Sequence, residues 1–438
     1  MKIRKIITAI MLLPAAACFG QTADFSGDSL SFSAVVQQVM DNYPSIIRAQ
    51  KNIDAADANI NLAKSAYYPD INLSGSYTRV GPVQEFDLSA LGFGWIQMNP
   101  ADNYGVALNL NQLIYDFGRM SKNKGIQQSN KAVSELVLEQ TKQQISLAVA
   151  GAFYNIAFLQ QAIKIKDEEL ATLHQHLDFV KKKLAAGTST QYEVLSTQVR
   201  IATIENQKTD IETALATQIS MLNSYLGQPQ NTPLTVKSEL LPAQLLEPTD
   251  NLMRTALDNR IELKIAVEKK HANEQKIGLL NAQYYPYLNL MASGGWKNGF
   301  VPDINKFTAN YAVGVGLKVP IFDSGHTMYS KRATHSEIEA SEQDIELAKR
   351  DIANSVIESK SSIEAAQKKV QQSNMQLEQA QQAYKLAETS YEAGSITNLD
   401  LLDSYTNLAD SKLSLYKAGI DYTINLLKLK IALGEKIY

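Results

Sequence analysis

Cysteine is almost absent from this chain of 438 residues, in which Cys18 is the single example. One thiol cannot form an intrachain disulfide and cannot build a cysteine zinc site. The five histidines are too few for a histidine-rich metal store. Lysine and arginine number 42 against 45 acidic residues, so the chain lacks the basic surplus with which a dedicated nucleic-acid binder neutralises phosphates. These counts argue against a nucleic-acid partner, a cysteine zinc site and a histidine-rich metal store, and we predict no metal ion and no other cofactor.

Long apolar runs are also missing. After residue 20 we find no run of the ~20 apolar residues that a membrane-spanning helix needs. The N-terminus carries a basic start, a short apolar stretch from Ile6 to Ala17 and small residues after it, which is the pattern of a secretory signal. We predict a signal peptide at residues 1–20. An exported chain of this kind is periplasmic, secreted or inserted as a β-barrel.

Two sites compete for cleavage of the signal. The favoured cut falls after Gly20, with Cys18 and Gly20 as the small residues that precede it. The alternative is that Ala15-Ala16-Ala17-Cys18 acts as a lipobox, which would make Cys18 a lipidated first residue. A lipobox prefers leucine at the position that Ala15 occupies, so the first cut is the better prediction.

One pattern occurs twice in the remainder of the chain. Asp116-Phe117-Gly118 matches Asp323-Ser324-Gly325, and Gly187 matches Gly394, both at an offset of 207 positions. Upstream of these marks the offset is 217, so the first copy has ten extra residues in one place. A constant offset over so long a stretch indicates rigid elements whose length matters.

The two copies define the predicted domain organisation. We expect a first repeat at residues 21–227 and a second repeat at residues 251–438. Residues 228–250 form a connector that contains several prolines, which break helices and do not fit central strands.

Each copy carries a long heptad pattern. In the first copy, two rows of mostly apolar residues recur every seven positions: Val149, Ile156, Ile163, Leu170, Leu177 and Leu184, and Ile145, Ala152, Leu159, Lys166, Leu173 and Val180. In the second copy the matching rows are Val356, Ile363, Val370, Leu377, Tyr384 and Tyr391, and Ile352, Ser359, Ala366, Ser373, Ala380 and Ala387. This spacing is typical of a coiled-coil seam.

The seams predict two long helices, at about 119–186 and 325–393, each roughly 100 Å long. Two shorter helices in tandem flank each long helix, the upstream one being expected at Ser45–Tyr68 in the first copy. Their outer surface is polar but weakly charged. An antiparallel coiled coil with a solvated outer face and a tube with a wet inner face both explain this pattern, and periodicity leaves the two alternatives open.

Four short segments alternate apolar residues with small or polar ones, as strands with one apolar face do. They lie at about 70–80, 103–115, 287–297 and 308–320. Strands of this length and pattern are typical of a transmembrane β-barrel, although a soluble sandwich also alternates. Four strands cannot close a barrel, so several chains would have to share one. The loops at 81–102 and 298–306 would then face the exterior.

Several local motifs give the sequence a family likeness. They are Asn42-Tyr43-Pro44, the Tyr-Pro strand entries at Pro69 and Pro286, Pro320-Ile321-Phe322-Asp323-Ser324-Gly325, and the run from Gly394 to Asp403. Together with the duplicated order of elements, they make the chain from Leu30 to Gly434 resemble the TolC-type outer-membrane efflux proteins.

The resemblance implies a mostly helical fold with a small β part. It implies a homotrimer in which twelve strands form one outer-membrane barrel, in contact with outer-membrane lipid, and a periplasmic α-helical barrel continues it. The tube would be a passive exit duct in the outer membrane of a Gram-negative bacterium. It would dock to a periplasmic adaptor and an inner-membrane pump of the RND or ABC type.

The resemblance also assigns site residues. Asp400 and Asp403 match the acids of the family's gate, Tyr391 matches its tip tyrosine, and Glu193 occupies the position of Asp400 in the first copy. The basic residue expected near Ile396 is absent. The alternative for the two aspartates is that they are solvated acids at a helix N-terminus. Adaptor docking is expected at the two turns, on Gly187, Thr188, Ser189, Gly394, Ser395 and Thr397.

Two other classes of protein compete with the duct. An enzyme is disfavoured because no phosphate-binding loop, nucleophile elbow or metal-spaced cluster appears, and we interpret His174 and His176 as surface residues. A soluble periplasmic coiled-coil adaptor would explain the heptads but not four alternating strands at matched positions. Small-molecule or drug efflux is the favoured cargo class, and a type I protein secretion duct is the alternative.

Overall fold

The computed structural model describes residues 29–92, 94–237, 240–242 and 247–438. The predicted signal peptide and Cys18 lie outside the described residues. Both halves of the described chain repeat one order of elements, which confirms the predicted duplicated, mostly helical fold. The first half contains α1 (Phe32–Asn42), α2 (Pro44–Ser65), β1 (Asp70–Arg79), β2 (Glu85–Asp87), β3 (Trp95–Gln97), β4 (Asp102–Tyr115), α3 (Arg119–Ala185) and α4 (Gln191–Leu226). The second half contains α5 (Thr249–Asn259), α6 (Ile261–Ala282), β5 (Tyr287–Lys297), β6 (Thr308–Lys318), α7 (His326–Glu392) and α8 (Asn398–Ala432).

The structure adds elements that the sequence did not predict. A short helix precedes the upstream helix in each half: α1 before α2, and α5 before α6. The Ser31 hydroxyl caps α1 by accepting from the backbone N–H of Ala34, and α5 begins inside the predicted connector. The loop expected at 81–102 is not irregular throughout, because β2 and β3 form a small hairpin there. The helix expected to reach Tyr68 ends at Ser65.

Four strands form one antiparallel sheet in the order β1-β4-β5-β6. Its register aligns the apolar positions of neighbouring strands, as in the pairs Leu73–Leu108 and Leu290–Val315. The resulting apolar face includes Ile71, Leu73, Tyr77, Tyr104, Val106, Leu108, Leu288, Leu290, Tyr311, Val313, Val315 and Leu317. Most of these side chains are exposed, up to 86% for Tyr311. The opposite face carries small and polar residues such as Asn72, paired with Asn109.

The repeated Asp-x-Gly motif marks the corner where a strand becomes a long helix. Gly118 has a φ of 90° and the residue before it, Phe117, a φ of 52°, so the chain reverses through the left-handed region. The Asp116 carboxylate accepts from the backbone N–H of Gly118 at 3.0 Å and of Met120 at 2.7 Å. Asp323 makes the matching bonds at the start of α7. Both aspartates therefore satisfy N–H groups that a helix start leaves free.

The long helices pack as the heptads predict. Every residue of the four heptad rows is buried or half-buried. The largest apolar cluster surrounds Phe153 and Ile156 in the middle of α3, where α1, α4 and α8 meet it. One stretch of α3 is long and apolar enough to cross a membrane by length and composition, contrary to our reading of the sequence. Half of that stretch is buried inside the chain, and a single helix of this kind is weak evidence for a membrane span.

Candidate functional site

The two helix turns at Gly187 and Gly394 lie together at one end of the molecule, and we call this end the tip. The glycines have φ values of 73° and 74°, which allow α3 and α7 to end in left-handed turns. The next backbone N–H groups, of Thr188 and Ser395, each bond back to the helix at 2.9 Å. Of the residues predicted to dock an adaptor, Ser189 is half-buried and the others are exposed: Gly187, Thr188, Gly394, Ser395 and Thr397.

A threonine caps the returning helix in each repeat. Thr190 Oγ1 accepts from the N–H of Glu193 at the start of α4, and Thr397 Oγ1 accepts from the N–H of Asp400 at the start of α8. The side chains of the two acids then differ. Asp400 turns back and accepts from the backbone N–H of Thr397 at 2.9 Å, which completes a capping box. Hydrogen bonds that the Thr397 hydroxyl and then the Thr397 backbone N–H donate to this carboxylate lower the pKa of Asp400, so its exposed side chain stays charged.

Glu193 reaches across to the second repeat instead. Its Oε2 accepts from Ser189 Oγ at 2.8 Å and from the Tyr391 hydroxyl at 2.9 Å. Tyr391 is only 5% exposed, and burial together with the Glu193 carboxylate raises the pKa of its hydroxyl, which therefore remains a donor. The structure thus brings together two of the predicted gate residues, Tyr391 and Glu193.

Asp403 lies one turn after Asp400 on α8 and is engaged by a different residue. Arg200 Nη2 on α4 approaches its Oδ1 to 2.5 Å. The Arg200 side chain is 25% exposed and that of Asp403 is 55% exposed. This ion pair joins the first repeat to the second. No basic residue stands near Ile396 in the sequence, and the base that contacts Asp403 is supplied by α4 instead.

Polar and aromatic groups complete the contact between the repeats. His176 Nε2 lies 2.6 Å from Asn398 Oδ1, and the His176 ring meets Tyr391 edge-on with a centroid distance of 5.3 Å. The Asn398 amide also donates to Thr197 Oγ1. Lys183 Nζ sits 4.6 Å from the centroid of the Tyr391 ring. The interpretation of His176 as a surface residue is therefore wrong, whereas His174 is exposed.

Within the described part of the chain, no group of three or more His, Cys, Asp or Glu side chains could hold a metal ion. What the tip offers chemically is a set of hydrogen bonds and one ion pair between two helical hairpins, with the charge of Asp400 left exposed.

Comparison with known proteins identifies the family. A family model described as "Outer membrane efflux protein" matches residues 35–228 and 252–435, which is most of the chain. The chain belongs to this family. Its members are transport proteins of the outer membrane, so the protein is located in the outer membrane of a Gram-negative bacterium and has a large periplasmic part.

Individual relatives and one solved structure are consistent with this family assignment. The chain is 23% identical to the outer membrane protein TolC of Vibrio cholerae over 413 residues, covering 92% of this chain and 90% of that one. It is 22% identical to the proteases secretion protein PrtF of Dickeya chrysanthemi, covering 55% of this chain and 53% of that one. The crystal structure of the outer membrane protein VceC from Vibrio cholerae superposes with a TM-score of 0.74 at 19% identity, covering 93% and 97% of the two chains. These likenesses support the fold that the sequence predicts.

Proposed function

We propose that three copies of this chain form an exit duct through the outer membrane, with their strands joined in one twelve-stranded barrel. The sheet β1-β4-β5-β6 carries this proposal. Its apolar face is exposed, and within the described residues β1 and β6 have a strand partner on one side only. Unpaired backbone groups cannot remain at a sheet edge in lipid. Because an even number of antiparallel strands leaves β1 and β6 pointing in opposite directions, β6 of one chain can pair with β1 of the next.

Cell fractionation and size determination test the trimer. We expect the protein in outer-membrane detergent extracts, with a mass of three chains by light scattering corrected for detergent. A monomer in the soluble periplasmic fraction would refute the duct and favour the coiled-coil adaptor instead. The exposed tyrosines at the strand entries, Tyr67, Tyr68, Tyr284 and Tyr285, fit an interfacial belt of such a barrel.

The helices would continue the barrel as a tube into the periplasm, where the tip docks to a periplasmic adaptor and an inner-membrane pump of the RND or ABC type supplies the energy. The exposed turns at Thr188 and Ser395 support docking there. A photo-crosslinker placed on Thr188→Cys or Ser395→Cys should capture the adaptor in cells. The same label on Asp344→Cys, which is exposed in the first half of α7 and far from the tip, is the control and should not capture it.

The tip would also act as a gate. Three copies of Asp400 and Asp403 near one axis would repel one another and attract cations. Replacing both by alanine should raise single-channel conductance in planar bilayers and weaken block by multivalent cations. Asp344→Ala with Asp351→Ala removes two exposed acids of α7 far from the tip and should change neither property. Unchanged conductance and unchanged cation block in the tip variant would contradict the gate.

Small molecules are the proposed cargo, since efflux is the function for which the family is described. The likeness to PrtF, whose name assigns it to protease secretion, keeps a polypeptide cargo as the second candidate. Deletion of the gene followed by growth on a panel of toxic compounds distinguishes the two. Sensitivity to small compounds with an unchanged set of secreted proteins supports efflux, and the loss of a secreted protein supports secretion.

A further inference from the structure

A cavity of about 170 Å³ lies beside the tip contact, between three helices. Its walls come from one face each of α3, α7 and α8, because the residues that line it recur at helical spacing. The cavity is about as large as an engineered apolar cavity of roughly 150 Å³ that accepts benzene. It therefore has room for one small ring, and a group attached to that ring would extend toward solvent beside the exposed Glu388 and Glu392.

Aromatic rings form a large part of the wall. Five of the lining residues are aromatic: His176, Phe179, Tyr384, Tyr391 and Tyr405. Tyr384 and Tyr405 meet edge to face with a centroid distance of 5.1 Å, which joins α7 to α8. The hydroxyls of the three tyrosines already donate to Glu388, Glu193 and the backbone oxygen of Glu168. What these tyrosines offer to an occupant is therefore chiefly ring surface.

Charge in the wall has one sign. Glu388 and Glu392 line the cavity, and among the described residues no lysine or arginine does. Lys183, which is not part of the wall, already lies over two of these rings, with its Nζ 4.6 Å from the Tyr391 centroid and 5.6 Å from the Phe179 centroid. An added cation would therefore contact chiefly the rings of Tyr384 and Tyr405. Aromatic rings and carboxylates both attract a positive charge, and a ring-lined site does so best when water is partly excluded. An anion would be repelled, and a neutral molecule would gain no attraction from these two exposed carboxylates.

We propose that this cavity binds a small hydrophobic organic cation, in which an ammonium group is carried on an aromatic or short alkyl body. The ammonium would lie among the rings near Glu388, and the apolar part would contact Leu173 and Leu402. The site belongs to each chain separately and does not require the gate. An occupant would touch α3 of the first repeat and α7 and α8 of the second, so it would hold the tip in the conformation described here. Any effect of this on transport rests on the proposed gate.

Binding is tested apart from conductance, so that failure of the site and failure of the gate are distinguishable. The purified full-length protein in a nonionic detergent is titrated by calorimetry with benzyltrimethylammonium, whose charge does not depend on pH, and with neutral benzyl alcohol. We expect the cation to bind with a dissociation constant of about 1 mM, typical of so few heavy atoms in a preformed site. Benzyl alcohol should bind at least roughly fivefold more weakly.

Variants test whether the probe binds in this cavity. Glu388→Gln keeps the shape of the side chain and should weaken binding of the cation roughly fivefold while leaving benzyl alcohol unchanged. Tyr405→Leu should weaken both probes. Glu378→Gln, at an exposed position on the same helix and outside the wall, should change neither. Equal affinities for the two probes, no binding of the cation at 10-fold the expected constant (about 10 mM), or equal effects of Glu388→Gln and Glu378→Gln would overturn the proposal.

Discussion

Arg200 makes the ion pair that most directly links the two repeats at the tip, so its removal should favour opening of the proposed gate. Arg200→Met keeps the apolar stem of the side chain and removes the guanidinium that contacts Asp403. The pair is partly exposed, with side chains that are 25% and 55% accessible. A pair of this kind contributes about 0.5–1 kcal/mol. If three chains open together, the losses add to about 1.5–3 kcal/mol, which is a roughly 10- to 100-fold increase in the ratio of open to closed tips.

Planar-bilayer recording measures this ratio from the distribution of conductance levels, and the chain supplies a matched control. Lys208 lies on the same helix and pairs with Asp167 of α3 at 2.7 Å, with side-chain exposures of 29% and 52%. This second pair has similar exposure but stays within the first repeat. Lys208→Met should therefore leave the distribution unchanged, and Arg200→Lys should restore part of the wild-type behaviour.

A double variant separates the pair from its members. Asp403→Asn should shift the distribution in the same direction as Arg200→Met, and the two changes together should shift it by less than their sum. The reasoning is refuted if Arg200→Met and Lys208→Met behave alike, or if neither Arg200→Met nor Asp403→Asn alters the conductance distribution.

Three further predictions concern stability. Lys166 and Glu169 form an ion pair at 2.9 Å, and their side chains are 4% and 0% exposed. Lys166→Met should therefore lower the free energy of unfolding, measured by chemical denaturation, by about 3–5 kcal/mol, because it leaves a buried charge without its partner. Adding Glu169→Leu should recover most of this loss. Burial opposes ionisation of Glu139, but Lys436, Tyr438 and Lys142 outweigh it and lower its pKa to about 2. The resulting stabilisation is present above pH ~4.5 and is lost as the pH falls through about 2. Lys436→Met removes one of the groups that lower this pKa, so the variant has less stabilisation to lose. Its thermal unfolding midpoint should therefore fall less than that of the wild type across this pH window. Asp116→Ala leaves two N–H groups at the start of α3 without their partner and should cost about 1–2 kcal/mol, while Asp70→Ala on the exposed strand β1 should cost little.

The periodic parts of this fold could be predicted because local spacing determines which side is buried. The heptad rows predicted the long helices, and even Lys166, a charged residue in a seam position, is buried as its row requires. Alternation predicted the strands, and their register places the apolar positions on one face. The helices α1 and α5 have only 11 residues each and were missed although their apolar residues recur at helical spacing, as Leu252, Met253, Ala256 and Leu257 do in α5. The strands β2 and β3 were missed because they have three residues each.

The contacts at the tip could not be predicted from the sequence, for a different reason. The offset of 207 between Gly187 and Gly394 indicates that the two turns occupy equivalent places, but it does not say which side chains meet between them. The observed partners are separated by 198 residues for Glu193 and Tyr391, by 203 for Arg200 and Asp403, and by 222 for His176 and Asn398. Such pairs depend on the rotation of each helix about its axis and on side-chain length. A repeat offset fixes neither of these.

Side-chain length explains why the equivalent acids of the two repeats have different partners. Glu193 and Asp400 occupy the same position after a capping threonine. The glutamate has one more methylene group, and its carboxylate reaches Ser189 and Tyr391, so its charge is used in the contact between repeats. The shorter aspartate closes on the backbone of Thr397 and remains exposed and ionised. The duplication thus supplied two equivalent positions for an acid. Because the side chains differ by one methylene group, Glu193 joins the repeats, whereas Asp400 leaves an exposed negative charge at the tip. A cation passing through the proposed gate would meet the charge of α8 rather than that of α4.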